Sequence, residues 1–152
     1  MTLILDTNVV IDWLVFDDVY MRPLRDAVAQ RLVAVLTSPP ATAELQRVLG
    51  YPILKLDPAR QADIFSRYAA AATPAVLPDN FSLSNLQLPP QFPLCRDADD
   101  QHFLALAWHS RATLLATRDK ALLKLRKRAA RFGVTIVDVP ALISQVGAQF
   151  AE

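Results

Sequence analysis

The chain has one cysteine, Cys95, in 152 residues. An internal disulfide is therefore excluded, and one thiol does not make a zinc site. Such cysteine usage points to the cytoplasm, where thiols stay reduced. The chain also lacks an excess of either charge: 16 Lys+Arg against 15 Asp+Glu leave a formal net charge of +1. An anionic partner would have to be met by a local patch, not by the whole molecule. No apolar run approaches the ~18–20 residues needed to span a bilayer, so no membrane is expected. The opening Met1-Thr2-Leu3-Ile4-Leu5-Asp6 has no basic start and carries a carboxylate by its sixth residue. No signal peptide is expected from it. Internal repeats and low-complexity tracts are not visible. What is present is an ordinary globular balance, 53% hydrophobic and 20% charged, enough for one domain over 1–152 with a sizeable core.

Short apolar runs alternate with helical patterns. Residues 2–5, 32–36, 75–77, 113–116 and 134–137 read as strands, the third a brief one between prolines. Helices are expected over 9–15, 21–30, 38–49, 57–72, 97–109, 120–132 and 140–150. Ser38-Pro39-Pro40 is a helix start and Gly50 a helix stop. Continuous apolar strands between helices argue for an α/β fold: a central parallel sheet of about five strands covered on both faces, in three α/β/α layers. Residues 78–94, with Pro89, Pro90 and Pro93, form a longer loop than most. It covers something or is an accessory insertion.

Carboxylates stand where those strands end. The first strand runs into Asp6, the fourth into Asp119, and the second feeds a helix carrying Glu44. Ligands of open parallel sheets sit outside the carboxyl ends of the strands, so these three should gather at one edge. Asp97 and Asp100 are three apart, hence neighbours on one helix face, with Asp99 pointing elsewhere. Acidic residues in a first turn also suit the helix dipole, a purely structural reading of this trio. That reading fails for the whole set. Carboxylates about 4 Å apart repel by roughly 4 kcal/mol per pair at an effective dielectric near 20. Such a cluster needs protons or a cation, and neutral residues would serve a merely structural site better. A hard divalent ion such as Mg²⁺ or Mn²⁺ suits oxygen ligands better than zinc does. It would polarise a phosphoryl oxygen and activate water for in-line attack.

Four stretches resemble the motifs of PIN-domain nucleases. They are Leu5-Asp6-Thr7-Asn8-Val9, residues 38–49 around Ala43-Glu44-Leu45, Cys95-Arg96-Asp97-Ala98-Asp99-Asp100-Gln101-His102-Phe103, and Thr117-Arg118-Asp119-Lys120-Ala121. They occur in order and cover most of residues 1–142. The third is the most specific. The nearest subgroup is the toxins of toxin–antitoxin pairs. The resemblance implies metal ligation by Asp6, Glu44, Asp100 and Asp119, an acidic supporting role for Asp97, and hydrogen bonding by Thr7, Asn8 or Thr117. It implies an Mg²⁺- or Mn²⁺-dependent endoribonuclease acting on RNA, neutralised by a small cognate antitoxin protein and forming a homodimer. One departure is the stretch 80–92, longer than expected before the third motif.

Residues 118–131 hold seven of the sixteen Lys+Arg. Lys120, Lys124, Lys127 and Arg131 follow helical spacing, a stripe that would track an RNA backbone, face solvent or meet an acidic antitoxin segment. Arg96 and Arg118 adjoin acidic motifs and would contact a scissile phosphate or pair with neighbouring carboxylates. His102 is read as a surface residue turned from the Asp97/Asp100 face, and Cys95 as packing. Trp13 and Trp108 are read as core or dimer-contact residues, and Asp12, Asp17 and Asp18 as a solvated face. Two other functions compete. A phosphatase of the haloacid-dehalogenase type would want an aspartate two residues after Asp6, where Asn8 stands. A catalytically inactive PIN-fold module binding RNA or protein would be expected to have lost an acidic position, and none is lost.

Overall fold

The computed structural model describes residues 1–150. Strands β1 (Thr2–Leu5), β2 (Ala34–Thr37), β3 (Ala72–Pro74), β4 (Leu114–Ala116) and β5 (Ile136–Val137) form one sheet in the order β3-β2-β1-β4-β5, with every pair parallel. Helices are α1 (Thr7–Leu14), α2 (Arg22–Ala29), α3 (Pro39–Leu49), α4 (Pro58–Ala71), α5 (Gln101–Ser110), α6 (Lys120–Leu123), α7 (Arg126–Ala130) and α8 (Val139–Phe150). Side chains alternate across a strand. In β1, Leu3 and Leu5 face a core shared with Val10 of α1, Leu24 of α2, Ile64 of α4 and Leu142 of α8. Ile4 faces the opposite core, with Phe103 and Leu106 of α5, Leu122 of α6 and Ala129 of α7. Both faces are therefore dry, which is why the strands read as unbroken apolar runs. Among the described residues no helix is long and apolar enough to cross a membrane.

The chain winds from β1 outward to β2 and β3, then crosses to the other side of β1 for β4 and β5. The β1/β4 boundary is thus the switch point of the sheet, where ligand crevices form. Local chemistry sets the helices that surround it. The Ser38 hydroxyl accepts from Ala41 N (3.2 Å) at the start of α3, ahead of two first-turn prolines. Asp57 and Asp138 cap α4 and α8 in the same way, at 2.7 and 2.9 Å.

Three expected elements differ. The third strand is Ala72–Pro74, not 75–77; it lies at the sheet edge, where a proline's missing N–H costs no ladder bond. Val76, expected inside a strand, is 94% exposed. The helix expected over 97–109 opens instead as a 3₁₀ turn, Ala98–Asp100, before α5 begins. The basic helix over 120–132 is broken into α6 and α7, because Leu125 N bonds back to Leu122 O at 2.9 Å and interrupts the regular ladder. Lys120 and Lys124, though exposed, therefore do not share one straight helix with Lys127 and Arg131.

Residues 78–94 are irregular apart from one isolated bridge between Ser82 and Asn85. They are nevertheless tied down over α5. Gln101 donates from Nε2 to Pro93 O (2.8 Å) and accepts from Cys95 N (2.6 Å). His109 Nε2 donates to Leu86 O (2.8 Å), and buried Phe92 packs against Trp108 and Phe132.

Candidate metal centre

Asp6 follows β1 directly, and its N–H still belongs to the sheet, donating to Ala116 O of β4 at 2.9 Å. Its carboxylate is held by the fully buried Thr117, whose hydroxyl donates to Asp6 Oδ2 at 2.7 Å. The same hydroxyl accepts from Asp119 N at 2.9 Å, and Asp119 Oδ1 accepts from Ala121 N at 2.8 Å to cap α6. One threonine therefore orders the carboxylates at the ends of both central strands.

Glu44, on the second turn of α3, is held at both oxygens. Thr7 donates its hydroxyl to Oε2, and His102 Nε2 lies 3.3 Å from Oε1. A carboxylate can only accept, so that ring nitrogen carries the proton. His102 is 2% exposed, not the surface residue expected, and its Nδ1 has no partner. One oxygen each from Asp6, Glu44 and Asp100 lies within 4.8 Å of the others. Opposite ligands of an octahedral Mg²⁺ sit about 4 Å apart, so three hard anionic donors at this spacing fit such an ion.

The electrostatics show the strain of crowded carboxylates. Burial, a hydrogen bond shared with Asp119, and the charges of Asp6, Asp119 and Asp97 push the Asp100 carboxyl up to about 8. Burial also raises Asp6, against the Thr117 hydrogen bond and with the help of Glu44. Glu44 goes the other way: burial alone would raise it, but the His102 and Thr7 hydrogen bonds outweigh burial and hold it below its ordinary value. Without a cation, the cluster relieves its repulsion by keeping a proton on Asp100.

A cavity of about 270 Å³ collects these groups. Asp97 and Asp119 line it, outside the group of three converging oxygens, and so does exposed Asn8. Asp99 lines it too, contrary to the helix-face expectation, because residues 98–100 form a 3₁₀ turn capped by Asp97 and not a regular helix. Arg96 is exposed and does not line it. Arg118 is turned away, its Nε 3.3 Å from Asp12 Oδ2. Asp12 is accordingly buried, where a solvated face was expected. Asp17 and Asp18 are exposed, as expected of them. Cys95 is buried among apolar side chains, and burial raises its thiol, as suits a packing residue. Trp13 is buried in the core.

Sequence reasoning passed over Arg47 and Tyr51. Both line the cavity, three and seven residues beyond Glu44. The i+3 spacing of Arg47 on α3 was the available signal. Leu83, from the segment 78–94, walls an adjoining cavity with Glu44, Arg47 and His102, so this segment reaches the approach to the carboxylates.

An all-parallel three-layer α/β/α sheet with three carboxylates converging at its switch point is the frame of a divalent-metal centre. The chain belongs to the PIN domain family, whose model matches residues 2–121. PIN domains are generally metal-dependent nucleases, and the Asp6, Glu44 and Asp100 cluster can hold the metal that this activity needs. No curated protein and no solved structure matches the chain.

Proposed function

We propose that the chain is an Mg²⁺- or Mn²⁺-dependent endoribonuclease, the toxin of a toxin–antitoxin pair. The observation that carries the nuclease reading is the convergence of Asp6, Glu44 and Asp100 within 4.8 Å at the β1/β4 switch point. In this reading Asp6, Glu44, Asp100 and Asp119 hold the ion, and Asp97 stands beside them. When bound, the ion supplies Lewis acidity at a phosphoryl oxygen and lowers the pKa of water. The chain supplies the rest. Thr117 aims Asp6 and the Asp119 backbone, Thr7 and His102 fix Glu44, and Asn8 offers an amide to the cavity. To serve as a ligand, Asp100 would have to be deprotonated. Lys120 and Lys124, exposed on and just after α6, and exposed Arg96 supply positive charge for an RNA backbone outside the cavity, whereas Arg118 is engaged by Asp12.

The likeness of the four acidic motifs to those of toxins supports the toxin role, a cognate antitoxin and a cytoplasmic setting. Homodimerisation or antitoxin docking has a candidate surface in Phe16, Val19 and Tyr20, which are 59%, 61% and 51% exposed between α1 and α2.

The test is cleavage of RNA with Mg²⁺ or Mn²⁺ by the parent, by Asp6→Asn and by Asp100→Asn. Loss of cleavage in both variants is expected, and equal rates in all three would end the nuclease assignment. Failure of Mn²⁺ to bind in calorimetry would favour an inactive binding module instead.

A further inference from the structure

The cavity that collects the carboxylates has six of them on its walls: Asp6, Glu44, Asp97, Asp99, Asp100 and Asp119. Among the described residues lining it, the one cation is Arg47. A polyanion entering such a place meets repulsion at nearly every wall, and a bound ion offsets it only at its own position. A guanidinium on the cavity wall is therefore where a backbone phosphate next to the reacting one would settle. The planar fork of arginine also matches phosphate in a bidentate way that lysine does not.

Arg47 is exposed and lies one helical turn beyond Glu44, on the same face of α3. Glu44 and Asp99 both act on its charge, and the Tyr51 hydroxyl lies beside it. Tyr51 follows the end of α3 at Gly50, in a turn closed by Tyr51 N donating to Val48 O at 2.9 Å. That turn brings the ring back to the cavity, where it stays 45% exposed. A lone exposed tyrosine needs no explanation. An aromatic face and a guanidinium at one rim of a phosphodiester site are the two parts of a nucleotide subsite: one takes the phosphate, the other a base.

We propose that Arg47 and Tyr51 form such a subsite, the guanidinium binding a backbone phosphate and the phenol ring stacking on the adjacent base. The inference rests on the nuclease reading of the same cavity. A base already stacked and paired in a duplex cannot turn its face to Tyr51, so stacking there requires an unpaired base.

The test separates binding from cutting. Fluorescence anisotropy of a labelled RNA oligonucleotide is measured with the full chain in Ca²⁺, a hard cation that oxygen ligands also take, with the RNA checked intact on a gel. The parent is expected to bind the single strand at least ~5-fold more tightly than the same strand annealed to its complement, the lower end of base–aromatic stacking. Arg47→Ala and Tyr51→Ala are each expected to weaken single-strand binding by ~5-fold or more, with Tyr51→Phe recovering most of the loss and Arg47→Lys only part. Both side chains are exposed, so circular dichroism should show each variant folded. Equal binding of duplex and single strand, or unchanged affinity in both alanine variants, would overturn the subsite. Cleavage by the parent is scored separately: loss of the nuclease reading shows as no cutting by any form, whereas failure of this inference shows in the affinities.

Discussion

Thr117 and Asp6 each follow a strand, 111 positions apart in sequence, and meet in the protein interior, the threonine hydroxyl donating to the carboxylate at 2.7 Å while accepting the Asp119 N–H at 2.9 Å. This small bridge couples the ends of β1 and β4, where the carboxylates must be held if they are to share an ion.

Replacing Thr117 with valine keeps the shape and deletes both hydrogen bonds. Asp6 then loses the interaction that lowers its pKa, and the Asp119 N–H loses its acceptor. The expected cost is about 1–3 kcal/mol in chemical denaturation, with weaker Mn²⁺ binding in calorimetry. Unchanged stability together with unchanged metal affinity would mean that the bridge has no such part.

His102 acts through Glu44. Removing a group that orients a metal-ligating carboxylate costs about 10–100-fold in metal affinity. His102→Ala is therefore expected to weaken Mn²⁺ binding by about that factor, and His102→Gln, which keeps a donor, should restore a good part. If both variants bind Mn²⁺ like the parent, Glu44 is positioned without the imidazole.

Asp100 makes the metal-free protein sensitive to alkali. Its folded pKa of about 8 lies above its unfolded value near 3.9, so the folded state holds the proton more tightly. The resulting stability is complete below about pH 4 and is lost as pH rises through 8. Asp6, also raised, has the same sign; Glu44, lowered, has the opposite sign, its contribution present at neutral pH and lost only as pH falls below its ordinary value. With chelator present, the melting temperature should fall between pH 5.5 and 8.5. Saturating Mg²⁺ should reverse the slope, since the ion needs deprotonated ligands. Asp100→Asn should flatten the chelator curve; a chelator curve as steep as the parent's would place the titration elsewhere.

Asp12 is buried, and Arg118 is its partner at 3.3 Å. Burial raises its carboxyl, and the guanidinium lowers it again. Arg118 is half exposed, so the pair is partly screened, and Arg118→Ala should cost only about 1 kcal/mol. In an Asp12→Asn background the same change should cost less, and a double-mutant cycle reads the difference.

The carboxylates were legible because their positions depend on local chain order. Asp6 and Asp119 come just after apolar strands, and Glu44 sits on a helix announced by Ser38-Pro39-Pro40. Burial was not legible in the same way. His102 and Asp12 are polar residues in mixed stretches, and only their distant partners, Glu44 and Arg118, make the interior tolerable for them. Asp99 was misplaced because a 3₁₀ turn and a regular helix start with the same residues. The third strand was placed three residues late because the apolar triplet 75–77 outweighed a proline that only an edge strand accepts.

By itself, the sequence determined a parallel α/β/α sheet and the four acidic stretches along it, since hydrophobic periodicity and strand-end chemistry are written in neighbouring residues. Only the tertiary structure decided that β4 crosses to lie beside β1, that His102 and Thr7 hold Glu44, and that Arg47 and Tyr51 stand over the same cavity. Those contacts join residues up to 111 positions apart, a separation that no local pattern encodes.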